Sequence, residues 1–203
     1  MKWSRRMTME HKAFLFNTEQ FNKELRPIIL AASKNHDLNL LRSYIMENIG
    51  KVRSIYSGEL LENNWENELE LGNIQELADF SMTCFYNPED DLGLSYSWDI
   101  LIEVLKTLST GFDAEYYILG RPLETDTFRL DPGGMGMGFV QMNDTPLILQ
   151  DLIDLRGALM EDGTIPAEAL YECTLSELIT AYDELIALYK EAVEHKSGLL
   201  ITF

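Results

Sequence analysis

TLSELITAYDELIALYKEAVEHKSGLLITF, residues 174–203, decides the fold class because a helix and a strand follow each other within it. Thr174-Leu-Ser-Glu177 has the spacing of a capping box, in which hydroxyl and carboxylate each satisfy a backbone N–H at the helix start. Leu178, Tyr182, Leu185, Tyr189 and Ala192 then recur at steps of three and four, flanked by Ile179, Ile186 and Val193. One helical face is therefore apolar and faces a core. His195 and Lys196 suit the negative end of the helix dipole, Gly198 ends the helix, and Leu199 to Phe203 reads as a paired strand.

Further strands are expected towards the amino terminus of that stretch. Tyr116 to Leu119, Thr127 to Leu130 and Phe139 to Met142 have strand composition, the last two flanking the loop Asp131-Pro-Gly-Gly-Met-Gly-Met-Gly138. Thr145 with Pro146 behind it starts a helix to about Leu159, and Pro166 starts another short one. Ser97 caps a helix over Trp98 to Leu108, with Asp99 near its positive end and Gly111 just past its close. Ile74 to Phe80 is helical, and Asn87 to Gly93 is turn chemistry on the surface.

Earlier still, Ala13 to Phe16 is a short strand, and Thr18 caps a helix interrupted by Pro27. Asp37 caps a helix whose stripe runs Leu41, Tyr44, Ile45, Ile49, Val52, Tyr56 and which Gly58 closes; Glu59 to Gly72 follows as a short helix. Helices outnumber strands, their spacing is irregular, and no repeat or linker divides the chain. The expectation is a helix-rich α+β domain over residues 13–203 with a small, mostly antiparallel sheet, preceded by a basic extension over residues 1–12.

Charge is distributed unevenly over the 203 residues, whose formal net charge is −18. Residues 1–57 hold ten Lys or Arg against five acids, whereas Ser54 to Glu103 contains no Lys or Arg at all. Such a surface repels phosphate backbones, so a basic protein fits better as partner than nucleic acid. No apolar run approaches the ~20 residues that span a bilayer. Cys84 and Cys173 are far apart and offer neither a disulfide framework nor a zinc site, so a cytoplasmic protein with reduced thiols is expected.

On the expected helix over residues 59–72, Glu62, Glu66 and Glu70 stack on one face four residues apart. Like charges so placed cost about 0.2 to 0.5 kcal/mol per pair. Three accounts of them compete: a solvated face, ion pairs with Arg42, Lys51 or Arg53, and a ridge that docks a basic partner. No Glu-x-x-His or calcium-loop pattern is present, so neither metal nor cofactor is expected. The glycine loop departs from the dinucleotide fingerprint at Phe139 and Gln141 and lacks a P-loop lysine. It reads as a hairpin tip, or as a mobile cover over a small-ligand pocket. Tyr96, Trp98 and Asp99 on one side, with Gly134 and Gly136 on the other, outline that candidate pocket between the Trp98 helix and the Gly133 to Gly138 loop.

Tyr96-Ser-Trp-Asp-Ile-Leu leading to Thr110-Gly111, then Ile118-Leu-Gly120, the glycine run before Phe139, and Leu188-Tyr-Lys-Glu-Ala192 ahead of an apolar strand together resemble the YfbM-like family of bacterial proteins. The resemblance covers most of the chain from Ala13 onward and implies an α+β fold; it supplies no catalytic residues. Lys2-Trp3 departs from the glycine usual after the first methionine of that family. Two functions are then expected to compete. The leading one is a non-enzymatic protein-binding module of inhibitor or immunity type that neutralises a basic partner, and the alternative is a small-molecule-binding protein or enzyme using the Trp98 pocket.

Overall fold

The computed structural model describes residues 9–108, 110–160 and 174–203. The carboxy-terminal strand is the centre of the molecule. Strand β1 (Lys12–Phe16), strand β4 (Met137–Val140) and strand β5 (Gly198–Thr202) form an antiparallel sheet in the order β1-β5-β4. Strands β2 (Glu124–Thr125) and β3 (Phe128–Arg129) form a separate two-stranded hairpin.

Both faces of the three-stranded sheet are covered, which explains why its strands are apolar throughout instead of alternating. Phe14, Leu200 and Phe139 stand in register on one face, and Leu15, Leu199 and Val140 on the other. The Phe14 face carries α1 (Thr18–Glu24), α2 (Arg26–Asn35), α3 (Leu38–Glu47) and α4 (Ile74–Met82), through Phe21, Ile29, Leu41, Ile45, Leu77 and Phe80. The Leu15 face carries α5 (Trp98–Thr107), α6 (Ala114–Leu119), α7 (Thr145–Leu155) and α8 (Leu175–Glu194). The helix-rich α+β domain expected from the sequence is thus built with its amino-terminal helices on one side of a small antiparallel sheet and its carboxy-terminal helices on the other.

Helix α8 is the element the sequence describes best. The capping box at Thr174 and Glu177 is formed, and Leu178, Tyr182, Leu185, Tyr189 and Ala192 are all buried. Two tyrosines on that stripe resolve their hydroxyls against backbone: Tyr182 donates to Leu152 O and Tyr189 to Tyr117 O.

Several elements differ from expectation. Asn17, not Thr18, caps α1, and Thr18 is buried with its hydroxyl accepting from Met142 N–H. Helix α3 ends at Glu47, where Asn48 caps it and Gly50 (φ +95°) turns the chain. Ile49, Val52 and Tyr56 therefore lie beyond its stripe, and Gly58 closes a turn with Ser54 instead of a helix. Residues 59–72 contain only one 3-10 turn, Trp65–Glu68.

Tyr116 to Leu119 is helical because Tyr116, Tyr117 and Ile118 all reach the core from one short turn, which overrides their strand propensity. Strands β3 and β4 do not pair, so the glycine loop between them is not a hairpin tip; Asp131 organises it by accepting from Gly134 and Gly136 N–H. Helix α7 stops at Leu155. The short helix expected at Pro166 falls outside the described residues.

Candidate functional site

The acidic stretch forms a layer over α3 and α4 that one buried side chain organises. Glu76, in the first turn of α4, is 4% exposed. Its carboxylate accepts from Glu70 N–H at 2.6 Å, Leu71 N–H at 2.9 Å, Gly72 N–H and the Tyr56 hydroxyl at 2.8 Å. Three consecutive N–H groups converging on one anion make a backbone nest. Burial alone raises the pKa of Glu76, yet the hydrogen bonds from Glu70, Tyr56, Gly72 and Leu71 outweigh it and hold the carboxyl below its ordinary value.

One turn further along α4, Asp79 is partly buried and moves in the opposite direction. Burial, and then the charge of Glu76, push it up to about 7. The layer has other anchors as well: Val52, Leu61 and Trp65 are buried, and the Trp65 indole N–H donates to Met46 Sδ. Arg53 N–H donates to Thr83 Oγ1, fixing the layer to the end of α4.

Glu62, Glu66 and Glu70 all lie exposed in this layer, but they do not stack on a helical face. Glu66 forms an ion pair with Arg42 at 2.7 Å, the internal pairing that the sequence left open. Glu62 borders an open depression of about 510 Å³ lined by Ile49, Gly50 and Leu61. Glu70 contributes its backbone N–H to Glu76. Large apolar side chains stand exposed among these acids: Met46, Tyr56, Leu60 and Leu71, the last 70% exposed.

Of the residues expected around a Trp98 pocket, Trp98 and Gly136 both lie near Phe203. Trp98 is half-buried, its indole N–H donates to Met9 O at 2.8 Å, and its ring meets Phe203 edge to face at 4.8 Å. A side chain at Gly136 would touch the Phe203 ring at 3.3 Å. Asp99 accepts from Ile100 N–H, Tyr96 is exposed, and Gly134 (φ +64°) has open space around it. His11 is buried beside Phe203 and fully satisfied: Leu94 N–H donates to Nδ1, so Nε2 carries the proton that goes to Ile118 O. Burial holds its pKa below the ordinary value.

A second recess, of about 320 Å³, has no counterpart in the sequence reading. Arg26 at the start of α2 and Arg121 beyond α6 both line it, although 95 positions separate them. Gly120 and Gly138 make this possible. With Gly120 at φ +65° and a Cβ at either position falling within 3 Å of the opposing backbone, α6 ends against β4 and Arg121 pairs with Phe139 through two backbone hydrogen bonds. Gly120 and Gly138 were the available signal, and their role is close packing.

Among the described residues no group of three or more His, Cys, Asp or Glu could hold a metal ion, and no helix is long and apolar enough to cross a membrane. No family model, curated protein or solved structure matches this chain.

Proposed function

We propose that this chain is a non-enzymatic binding module that presents the layer over residues 46–72 to a basic protein, as an inhibitor or immunity protein does. One observation carries the proposal: Met46, Tyr56, Leu60 and Leu71 stand exposed among Glu62, Glu66, Glu68 and Glu70, in a region where Ser54 to Glu103 supplies no positive charge. Apolar side chains provide contact area once water is expelled, while acids around them accelerate encounter with a basic surface and disfavour acidic ones. Glu76 supports this role by holding the layer in one shape before any partner arrives, which lowers the ordering cost of binding. We also place the chain in the YfbM-like family, on the segments that resemble it, and in the cytoplasm, where Cys84 stays a thiol.

Capture from the native cell at low salt, followed by titration of the captured protein in purified form, tests the proposal. The expected partner is basic, and its affinity falls as salt rises. Affinity also falls in the Glu62→Gln/Glu66→Gln/Glu70→Gln variant and in Tyr56→Ala/Leu71→Ala. A partner that both variants bind as tightly as the parent chain removes this layer from consideration.

A further inference from the structure

The recess between α1, α2 and β4 gathers two arginines of a chain that carries 34 acidic and 16 basic residues. Arg26 and Arg121 are exposed there, and neither forms an ion pair among the described residues. Glu124 lines the same recess without pairing to them. Arg121 is held by other means. Its backbone N–H and C=O are bonded to Phe139 at 2.9 and 2.8 Å, and its guanidinium carbon lies 4.4 Å over the Tyr116 ring. Tyr116 is itself fixed, donating to Asp144 at 2.5 Å and accepting from Gln141 N–H at 3.2 Å.

An arginine stacked on an aromatic face is oriented without using its N–H groups, so the planar fork remains free for a carboxylate or phosphate. Asn22 and Gln141 add amide groups at the rim, already joined to each other by a 2.8 Å hydrogen bond. The floor is aromatic, with Phe21 and Phe139 stacked at 5.1 Å and 16°. A volume of about 320 Å³ is within the range that holds a small molecule.

We infer that this recess binds a small organic anion, a carboxylate or phosphate whose charged head meets Arg26 and Arg121 and whose apolar body lies against Phe139. The site shares no residue with the partner-binding layer and stands or falls independently of it.

Calorimetric titration of the full chain with phenyl phosphate, benzoate and inorganic phosphate tests the inference. Saturable binding of phenyl phosphate or benzoate is expected, tighter than that of inorganic phosphate, and the tighter of the two names the head group. Losing charge-assisted bonds should weaken binding about tenfold or more in Arg121→Gln and in Arg26→Gln. Glu124→Gln removes a repelling charge and should tighten it. Arg26 is exposed on a helix, so its variant is readable even if replacing Arg121 perturbs folding. Absence of saturable heat for all three probes up to about 10 mM, far above a useful affinity, overturns the inference. So does binding that Arg26→Gln and Glu124→Gln both leave unchanged.

Discussion

Residues 174–202 and residues 48–76 are ordered by opposite means. In the first, a local capping box starts α8 and a continuous apolar stripe buries it, after which β5 is buried on both faces. In the second, three buried anchors pin a chain with little regular structure, and one carboxylate from α4 gathers the backbone of residues 70–72 together with the Tyr56 hydroxyl. Apolar burial is spread over many side chains and tolerates local change, whereas a hub of hydrogen bonds concentrates its contribution in one group. The two regions should therefore fail differently.

The largest effect is expected at the centre of the sheet. Leu200 is fully buried between Phe14 and Phe139, and Leu200→Ala should cost about 2 to 5 kcal/mol through lost transfer free energy and a residual cavity. Because β5 joins both cores, urea unfolding should remain a single transition reported alike by Trp65 and Trp98. Two separated transitions would show that the helices on the two faces are stabilised independently.

Next comes the hub. Glu76→Gln keeps the shape of the side chain but loses its charge and turns one acceptor into a donor facing backbone N–H groups. Hydrogen bonds to charged groups contribute about 1.5 to 3 kcal/mol each and are not additive, so a loss of about 2 to 4 kcal/mol is expected. Its location matters more than its size: hydrogen exchange should accelerate across residues 54–72 while residues 178–201 stay protected. Uniform acceleration over both segments would show that the two regions do not open independently.

The same contrast explains what the sequence reveals. Period-3.6 burial and a cap three residues away are local, so α8, β5 and the fold class are legible in residues 174–203. Nothing local distinguishes Glu76 from the other acids, yet it is the one that organises the layer; its donors are recognised only once Tyr56 and residues 70–72 are in place. Aligning Glu62, Glu66 and Glu70 required a helix, whereas the segment forms only the 3-10 turn Trp65–Glu68. Charge singled out the acidic stretch along the chain but not its irregular geometry. The Arg26 and Arg121 recess was illegible for a related reason, since it depends on the close approach of Gly120 and Gly138 across a turn.

Asp79 sharpens the comparison through pH. Its ordinary pKa of 3.8 rises to about 7 in the folded chain through burial and the charge of Glu76. Between about pH 4 and 7 the folded chain thus holds a proton that the unfolded chain has released, and stability falls as pH rises across that window. Glu76 acts with the reverse sign: its carboxyl is held below the ordinary value, and the stability it supplies is lost as pH falls. Asp79→Asn should be nearly neutral at pH 4 and stabilising by about 1 to 3 kcal/mol at pH 8. An equal effect at both pH values in urea unfolding would show that Asp79 is not protonated in the folded state.

The smallest effect on stability, and the most telling for function, is expected at Arg42 and Glu66. Their side chains are 37% and 54% exposed, so solvent screens the pair, and a double-mutant cycle should give a coupling below about 1 kcal/mol. Arg42→Ala leaves Glu66 as a free carboxylate in a layer that already repels acids. If that layer receives a basic protein, the variant should associate with it faster than the parent chain, with a steeper dependence on salt, because encounter rates follow the local field more than the contact area. If the Arg42 pairing instead serves the layer's shape, association should slow and hydrogen exchange across residues 54–72 should rise with it. The Arg42 variant therefore separates a docking surface from an internally balanced one, at almost no cost in folding.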